Sequence, residues 1–385
     1  MGTQGSMEGV RVDLDLTSDQ ELFLETTDRF LTASWPMSKA RKLIGDPIGF
    51  NRTLWDQGAE LGWTSMLVPE DAGGGSISGQ GVCDLAIIAE EMGRHLFAGP
   101  VLPSNVVAWS LGHFGSESLV KEHLPNIAAG QEIATWAMAE ENDRWMAESG
   151  AVDVVRTESG FRLSGVKSPV QDAHVADHLL IAVRTDEGVT QFLVPTNVRG
   201  LCVEPLDGLD LLRRFGRVVL DDVEVPAGAV VGGVGRPSSE LELQFALAVA
   251  LQCAETVGAT ERVYEMTLQY VKDRKSFGRP IGSYQALKHR LADMLLWLES
   301  AKAVTVAAVN AVQFESDANN AASVAKAYVA DRCPVIIREC LQMHGGIGYT
   351  WEHDLHLYMR RVESNTAIYG GVDYHRDWLA PAIGL

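Results

Sequence analysis

The chain has 385 residues, 46% of them apolar and 22% charged, which is the composition of a globular protein long enough for two or three packed units. Its 32 Lys and Arg against 51 Asp and Glu leave a net charge of −19, which excludes a global attraction for nucleic acid or an anionic bilayer. Five scattered cysteines (Cys83, Cys202, Cys253, Cys333, Cys340) without a Cys-x-x-Cys pair argue against a disulfide framework or a zinc cluster and predict a reducing, cytoplasmic setting.

Residues 1–16 read as a tag or disordered start: the first six, MGTQGS, precede a second start at Met7 and lack the basic-then-apolar order of a signal peptide. No apolar run approaches the ~20 residues of a membrane span. Residues 17–130 read as a helical domain. Ser18 and Glu21 predict a capping box for a helix through about Thr32, with Leu22, Phe23, Thr26, Phe30 and Leu31 near helical spacing. The run 70–76 (EDAGGGS) predicts a tight connection, because no phosphate-loop context surrounds its glycines. A second helix over about 81–96 carries Asp84, Glu90 and Glu91, expected on solvated faces.

Residues 131–238 change to short, β-branched runs at 161–167, 178–183, 190–194 and 217–225, which predict a small β-barrel or sandwich. The glycine- and proline-rich stretch 226–239 is expected to be a linker. From 239 to 385 the pattern is helical. Ser239 with Glu242 predicts a cap, and Leu243, Leu247, Ala254, Val257, Tyr264, Leu268 and Val271 form one stripe on a helix of about 30 residues. Further helices over about 283–314, 319–343 and 352–362, with Ser283 as a cap, predict a four-helix bundle.

Two segments concentrate polar and glycine residues. In 273–294 (DRKSFGRPIGSYQALKHRLADM), an arginine beside an aromatic at a helix–helix turn suits a phosphate and a flat heterocycle, or simply an anchored loop with Arg274 on the surface. In 342–359 (QMHGGIGYTWEHDLHLYM), glycines after a helix end serve as a C-cap or admit a close backbone or pyrophosphate. His344, His353 and His356 lack the spacing of a metal site, and none is assigned.

Together these motifs resemble the acyl-CoA dehydrogenase family. Its Arg-x-x-Phe-Gly turn, following glutamine and Leu-Ala-Asp-Met run are matched by Arg274, Phe277, Gly278, Gln285 and Leu291 to Met294. Its glutamine before a Gly-Gly-x-Gly turn is matched by Gln342, Gly345, Gly346 and Gly348. The resemblance covers nearly the whole chain. It implies an α+β fold with an N-terminal α-helical domain, a middle β-barrel and a C-terminal four-helix bundle. It also implies FAD-dependent α,β-dehydrogenation of an acyl-CoA thioester, with an electron-transferring flavoprotein as acceptor. Cofactor-binding residues by resemblance are Arg274, Phe277, Gly278, Gln285, Gln342, Gly345 and Gly346, which in relatives reach across a subunit interface into a neighbour's flavin site.

The catalytic glutamate of the family is absent. Its usual place, in a Tyr-Glu-Gly-Thr phrase, is held by Gly370 within AIYGGV, and its second location, 26 residues before Arg274, is Ala248. Glu255 and Asp373 are the substitutes that sequence offers. The family's flavin-lining Glu-Pro-Gly-Ala-Gly-Ser-Asp run corresponds to 140–149 (EENDRWMAES), and its Lys-x-Trp-Ile-Thr/Ser phrase becomes Lys167, Ser168, Pro169, Val170 and Gln171. The expected role is therefore a supporting subunit that completes FAD binding for a homologous catalytic partner, as in actinobacterial α2β2 enzymes. The alternatives are a self-sufficient homo-oligomeric dehydrogenase with a relocated base and a redox-inactive CoA-binding or structural protein. No nucleic-acid or membrane partner is expected.

Overall fold

The structure, a computed structural model, describes residues 16–141, 145, 150–236 and 238–384. Helices come first: α1 Ser18–Ser34, α2 Met37–Ala40, α3 Arg52–Glu60, α4 Gly81–Arg94, α5 Val101–Phe114 and α6 Glu117–Ala128. Strands follow: β1 Ala134–Ala137, β2 Val152–Arg156, β3 Gly160–Gln171, β4 His178–Thr185, β5 Gly188–Pro195, β6 Leu201–Leu206, β7 Phe215–Pro226 and β8 Val230–Arg236. The chain then returns to helix: α7 Ser238–Asp273, a hairpin of β9 Lys275–Ser276 and β10 Arg279–Pro280, α8 Gln285–Gln313, α9 Ala318–His344, α10 Leu355–Ala367 and α11 Val372–Leu379. This is the fold class expected from the sequence.

The caps differ from the sequence reading. α1 starts one residue earlier, because Thr17 Oγ1 accepts the Gln20 amide at 3.3 Å while Gln20 Oε1 accepts the Thr17 amide at 3.1 Å. Ser239 lies inside α7, and Ser283 donates its hydroxyl to the Pro280 carbonyl at 2.7 Å instead of capping α8. The acidic residues of α4 are not on a solvated face. Asp84 is fully buried, accepting from Ser78 N (2.8 Å), Ser78 Oγ (2.7 Å) and Gln20 Nε2 (2.8 Å), so it ties α1 to the loop before α4. Burial pushes the Glu90 and Glu91 carboxyls up to about 7, with neighbouring carboxylates (Glu261 beside Glu90, Asp28 near Glu91) adding to the rise.

The middle unit is two four-stranded sheets, β1-β4-β5-β8 and β2-β3-β7-β6. Phe161 of β3 and Phe192 of β5 meet between them, ring centroids 5.0 Å apart. The expected linker 226–239 is instead largely strand: β8 pairs with β5 and closes the first sheet, its glycines tolerated where the ladder shifts register.

Helices α4 and α7 approach backbone to backbone. A Cβ on Gly93 would lie 1.9 Å from the Glu255 carbonyl oxygen, and one on Gly258 would lie 2.0 Å from that of Glu90. Both glycines are thus required by the crossing. Contrary to the expectation of no long apolar run, α7 and α8 each hold an 18-residue window of mean hydropathy 1.2 and 1.3, respectively. The α7 window is 94% buried and is a core helix; the α8 window is only 33% buried. Leu295 and Leu296 of α8 stand 43% and 65% exposed, so that helix presents an apolar stripe beyond what this chain covers.

Candidate functional site

Both motif segments lie at one end of the bundle. Tyr270, one turn before Arg274 on α7, stacks on His344 at the end of α9 with ring centroids 4.4 Å apart, and donates its hydroxyl to the His344 carbonyl at 3.3 Å. That contact sets the Arg274–Gly278 turn beside the Gly345–Gly348 turn. Phe277 and Gly278 have φ of 52° and 79°, so the two-residue turn between β9 and β10 has left-handed backbone at both positions, as a type I′ hairpin requires. The hairpin is braced from below, where Tyr284 Oη donates to the Ser276 carbonyl at 3.2 Å and Arg279 lies over the Tyr284 ring at 3.9 Å.

The result is a set of side chains facing outward. Phe277 is 93% exposed, and Arg274, Gln285, Gln342 and Gly346 are exposed with it. Among the described residues Arg274 has no ion pair. A Cβ built on Gly278, Gly345 or Gly346 would meet nothing within 4 Å, so the turns open onto free space. Ile347, Tyr349 and Trp351 continue the exposed apolar surface. A guanidinium, an amide, an aromatic ring and open glycine backbone fit the phosphates and flat rings of a dinucleotide.

The chain's own interior cleft is different. The positions that correspond to the family's flavin and substrate lining (Pro169, Gln171, Ala248) converge with Tyr369, which borders the two small cavities left there. Those cavities measure about 20 and 10 Å³, room for a water or two and far below the size of ligand pockets. The filling is aromatic: Tyr369 lies 5.5 Å from Trp145, 6.5 Å from Trp136 and 6.0 Å from Phe245, measured between ring centroids. The residues present here do not fit FAD.

Sequence reasoning missed Tyr369 and what holds it. The buried Lys326 ammonium donates to the Ile368 carbonyl at 2.8 Å, to the Asn365 carbonyl and to Gln252 Oε1, and burial pulls it down to about 8. His375 Nε2 lies 2.9 Å from the Tyr369 carbonyl. Tyr369 has φ 62°, a left-handed conformation that a bulky residue keeps only when its surroundings impose it. Its place directly before Gly370 was the available signal.

Neither substitute base is placed to take a substrate proton. Glu255 is 2% exposed and bound to Arg213, to Arg361 Nη1 at 2.9 Å and to Asn365 Nδ2 at 3.1 Å. Burial alone would raise its pKa, but Arg213 and Arg361 more than offset that and hold the carboxyl below the usual range. With Asp210, which binds Arg361 Nε, these side chains form a buried network of two cations and two anions joining the β6–β7 connection to α7 and α10. Asp373 has a side chain 96% exposed and faces Arg376, at 3.9 Å, on the surface of α11.

Lys167, in the family's flavin-supporting phrase, is buried against Glu140 at 2.8 Å, both side chains fully enclosed. Pro169 breaks the β3–β7 ladder, which shifts register between Lys167 and Val170. Most of the run 140–149 lies outside the described residues. His344 and His353 meet edge to face at 5.0 Å, and His344 Nδ1 is engaged by the Cys340 carbonyl at 2.9 Å, a packing arrangement and not a ligand set.

Known proteins resemble this chain over most of its length. The profile described as "Acyl-CoA dehydrogenase, N-terminal domain" matches residues 17–131, and "Acyl-CoA dehydrogenase, C-terminal domain" matches residues 243–384. The acyl-CoA dehydrogenase FadE27 of Mycobacterium tuberculosis is 30% identical over 332 residues, 84% of this chain and 85% of that protein. The solved ChsE4-ChsE5 complex of the same species contains a chain of 27% identity and TM-score 0.87, covering 96% of this chain and 98% of that one. A structure described as a Tcur3481-Tcur3483 steroid ACAD variant matches at 26% identity and TM-score 0.86, covering 94% of this chain and 97% of that chain.

Proposed function

The chain belongs to the acyl-CoA dehydrogenase family, whose members are oxidoreductases acting on the CH–CH bond of acyl-CoA, and we propose that it serves as the supporting subunit of a heteromeric, FAD-dependent enzyme. One observation carries this reading: the cofactor-type residues face outward at the end of the bundle while the chain's own cleft is packed shut around Tyr369. A residue set of use only to a neighbour, beside a cleft of no use to its owner, fits a chain that completes another subunit's site. The two-protein names of the similar solved structures support the same reading.

FAD, when bound, supplies the hydride acceptance that dehydrogenation needs. This chain's part is to bind and orient. Arg274 offers a paired set of N–H donors to a pyrophosphate, Phe277 offers an apolar face, and Gln342 with the Gly345–Gly346 turn offers an amide and open backbone. The exposed stripe of α8 around Leu295 and Leu296 offers the homologous catalytic partner an apolar surface. The family's two base positions, Gly370 and Ala248, carry no acid or base in this chain. The partner therefore provides the glutamate.

The substrate is an acyl-CoA thioester, and the similarity to a structure described as a steroid ACAD makes steroid side-chain thioesters the first to test. An electron-transferring flavoprotein is the proposed acceptor. Five free cysteines, three of them buried, are in keeping with a reducing cytoplasm. The self-sufficient alternative would require Glu255 or Asp373 as base, and the ion-paired burial of the first and full exposure of the second speak against it. The test is co-expression with a family member that carries the glutamate, followed by flavin content and dye-linked turnover of the purified complex. Turnover that is absent from each chain alone and present in the complex supports the proposal.

A further inference from the structure

On elements that carry neither motif segment, three side chains bring their ligand atoms within 4.8 Å of one another: His123 of α6, Glu132 of the α6–β1 connection and His178 at the start of β4. His123 Nδ1 lies 2.8 Å from Glu132 Oε1 and 3.1 Å from Oε2. His178 Nδ1 lies 2.8 Å from the same Glu132 Oε1, so one carboxylate oxygen faces both imidazoles. The two imidazoles meet at 67° with centroids 4.8 Å apart. Backbone pairing fixes the scaffold: Asp177 Oδ2 accepts the Ile133 amide at 2.8 Å, and His178 N donates to the Ile133 carbonyl at 3.1 Å.

Two imidazole nitrogens and one carboxylate are a zinc donor set, and metal–ligand bonds of about 2.0–2.2 Å place tetrahedral donors roughly 3.3 Å apart. Here the two imidazole-to-carboxylate separations are 2.8 Å, and all three ligand atoms lie within 4.8 Å of one another. We propose that His123, Glu132 and His178 bind one Zn²⁺ that staples the helical domain to the first sheet. The fourth position is left to water, since the three side chains are 10%, 11% and 17% exposed and solvent reaches the cluster. The proton that now lies between His123 and Glu132 is released on binding. The site is independent of the flavin-directed surface.

The test titrates the metal-stripped, full-length chain with ZnCl2 by calorimetry, counts zinc after gel filtration, and repeats the titration with CoCl2 in the spectrophotometer. One Zn²⁺ per chain, with affinity reduced on the order of tenfold or more in both Glu132→Gln and His178→Gln, is the expected result. Intense visible bands of tetrahedral cobalt in the unmutated chain give a readout that does not depend on either variant folding. Absence of those bands, or zinc bound equally by the chain and both variants, overturns the site.

Discussion

The carbonyl oxygen of Tyr369 sits 2.9 Å from His375 Nε2, while His375 Nδ1 sits 3.1 Å from Ser323 Oγ. A carbonyl only accepts, so Nε2 carries the proton and Nδ1 is free to accept from the serine hydroxyl. The neutral ring thus pins the residue that fills the chain's own cleft.

That pin makes stability pH-dependent. Burial lowers His375 from 6.5 to about 4, partly offset by the hydrogen bond to Tyr369 and reinforced by the Lys326 charge. Between those two values the unfolded chain binds more protons than the folded one, so this group's contribution rises with pH through that window and is complete above about 6.5. The gap bounds the effect at ~3 kcal/mol. Urea melts from pH 4 to 7 are expected to show stability falling as pH drops, and a shallower fall in His375→Gln.

Glu255→Gln separates a structural carboxylate from a base. Removing that charge leaves Asp210 as the one carboxylate ion-paired with these arginines among the described residues, a loss on the order of 3–5 kcal/mol. A general base would instead cost about 10²–10⁴ in rate. In the co-expressed complex, Glu255→Gln is expected to lower the melting temperature while turnover per bound flavin stays within about twofold of the unmutated complex.

Restoring the missing carboxylate by Gly370→Glu is expected to fail. Gly370 has φ 91°, and a Cβ there would come 2.4 Å from Tyr374 Cδ1. The strained backbone and the clash together destabilise by about 2–4 kcal/mol, read in a urea melt, with no gain of turnover. Adding Tyr374→Ala is expected to recover the clash portion of that loss and still give no activity, because the cleft around Tyr369 stays closed.

Arg274→Ala and Phe277→Ala act in the opposite way. Both positions are exposed, so the melting of the lone chain is expected to stay within about 0.5 kcal/mol of the unmutated value. In the complex, loss of the charge-assisted contact in Arg274→Ala, or of the apolar face in Phe277→Ala, weakens flavin retention, on the order of tenfold or more for Arg274→Ala. Flavin fluorescence released during dilution measures it.

The motif turns, the helical–β–helical order and the long α7 stripe were legible because they depend on local pattern: Phe277–Gly278 at a tight turn, and apolar spacing along one helix. What sequence hid depends on tertiary partners. Asp84 reads as a solvated acid until Ser78 and Gln20 close around it. Glu255 reads as a spare carboxylate until Arg361, 106 residues later, reaches it. Residues 226–239 read as linker because glycine content is visible locally, whereas the pairing of β8 with β5 is not. Nothing local beyond its place before Gly370 marks Tyr369, since its packing against Trp136 and Trp145 joins residues more than 200 positions apart.

The measurement that tests the central claim most directly is the visible absorption spectrum of the chain purified alone, set against that of the complex with a glutamate-bearing partner. A cleft closed around Tyr369 predicts a colourless lone chain and a yellow complex holding about half an FAD per chain, one for each pair of subunits. Flavin bands in the lone chain at close to one FAD per chain would contradict it.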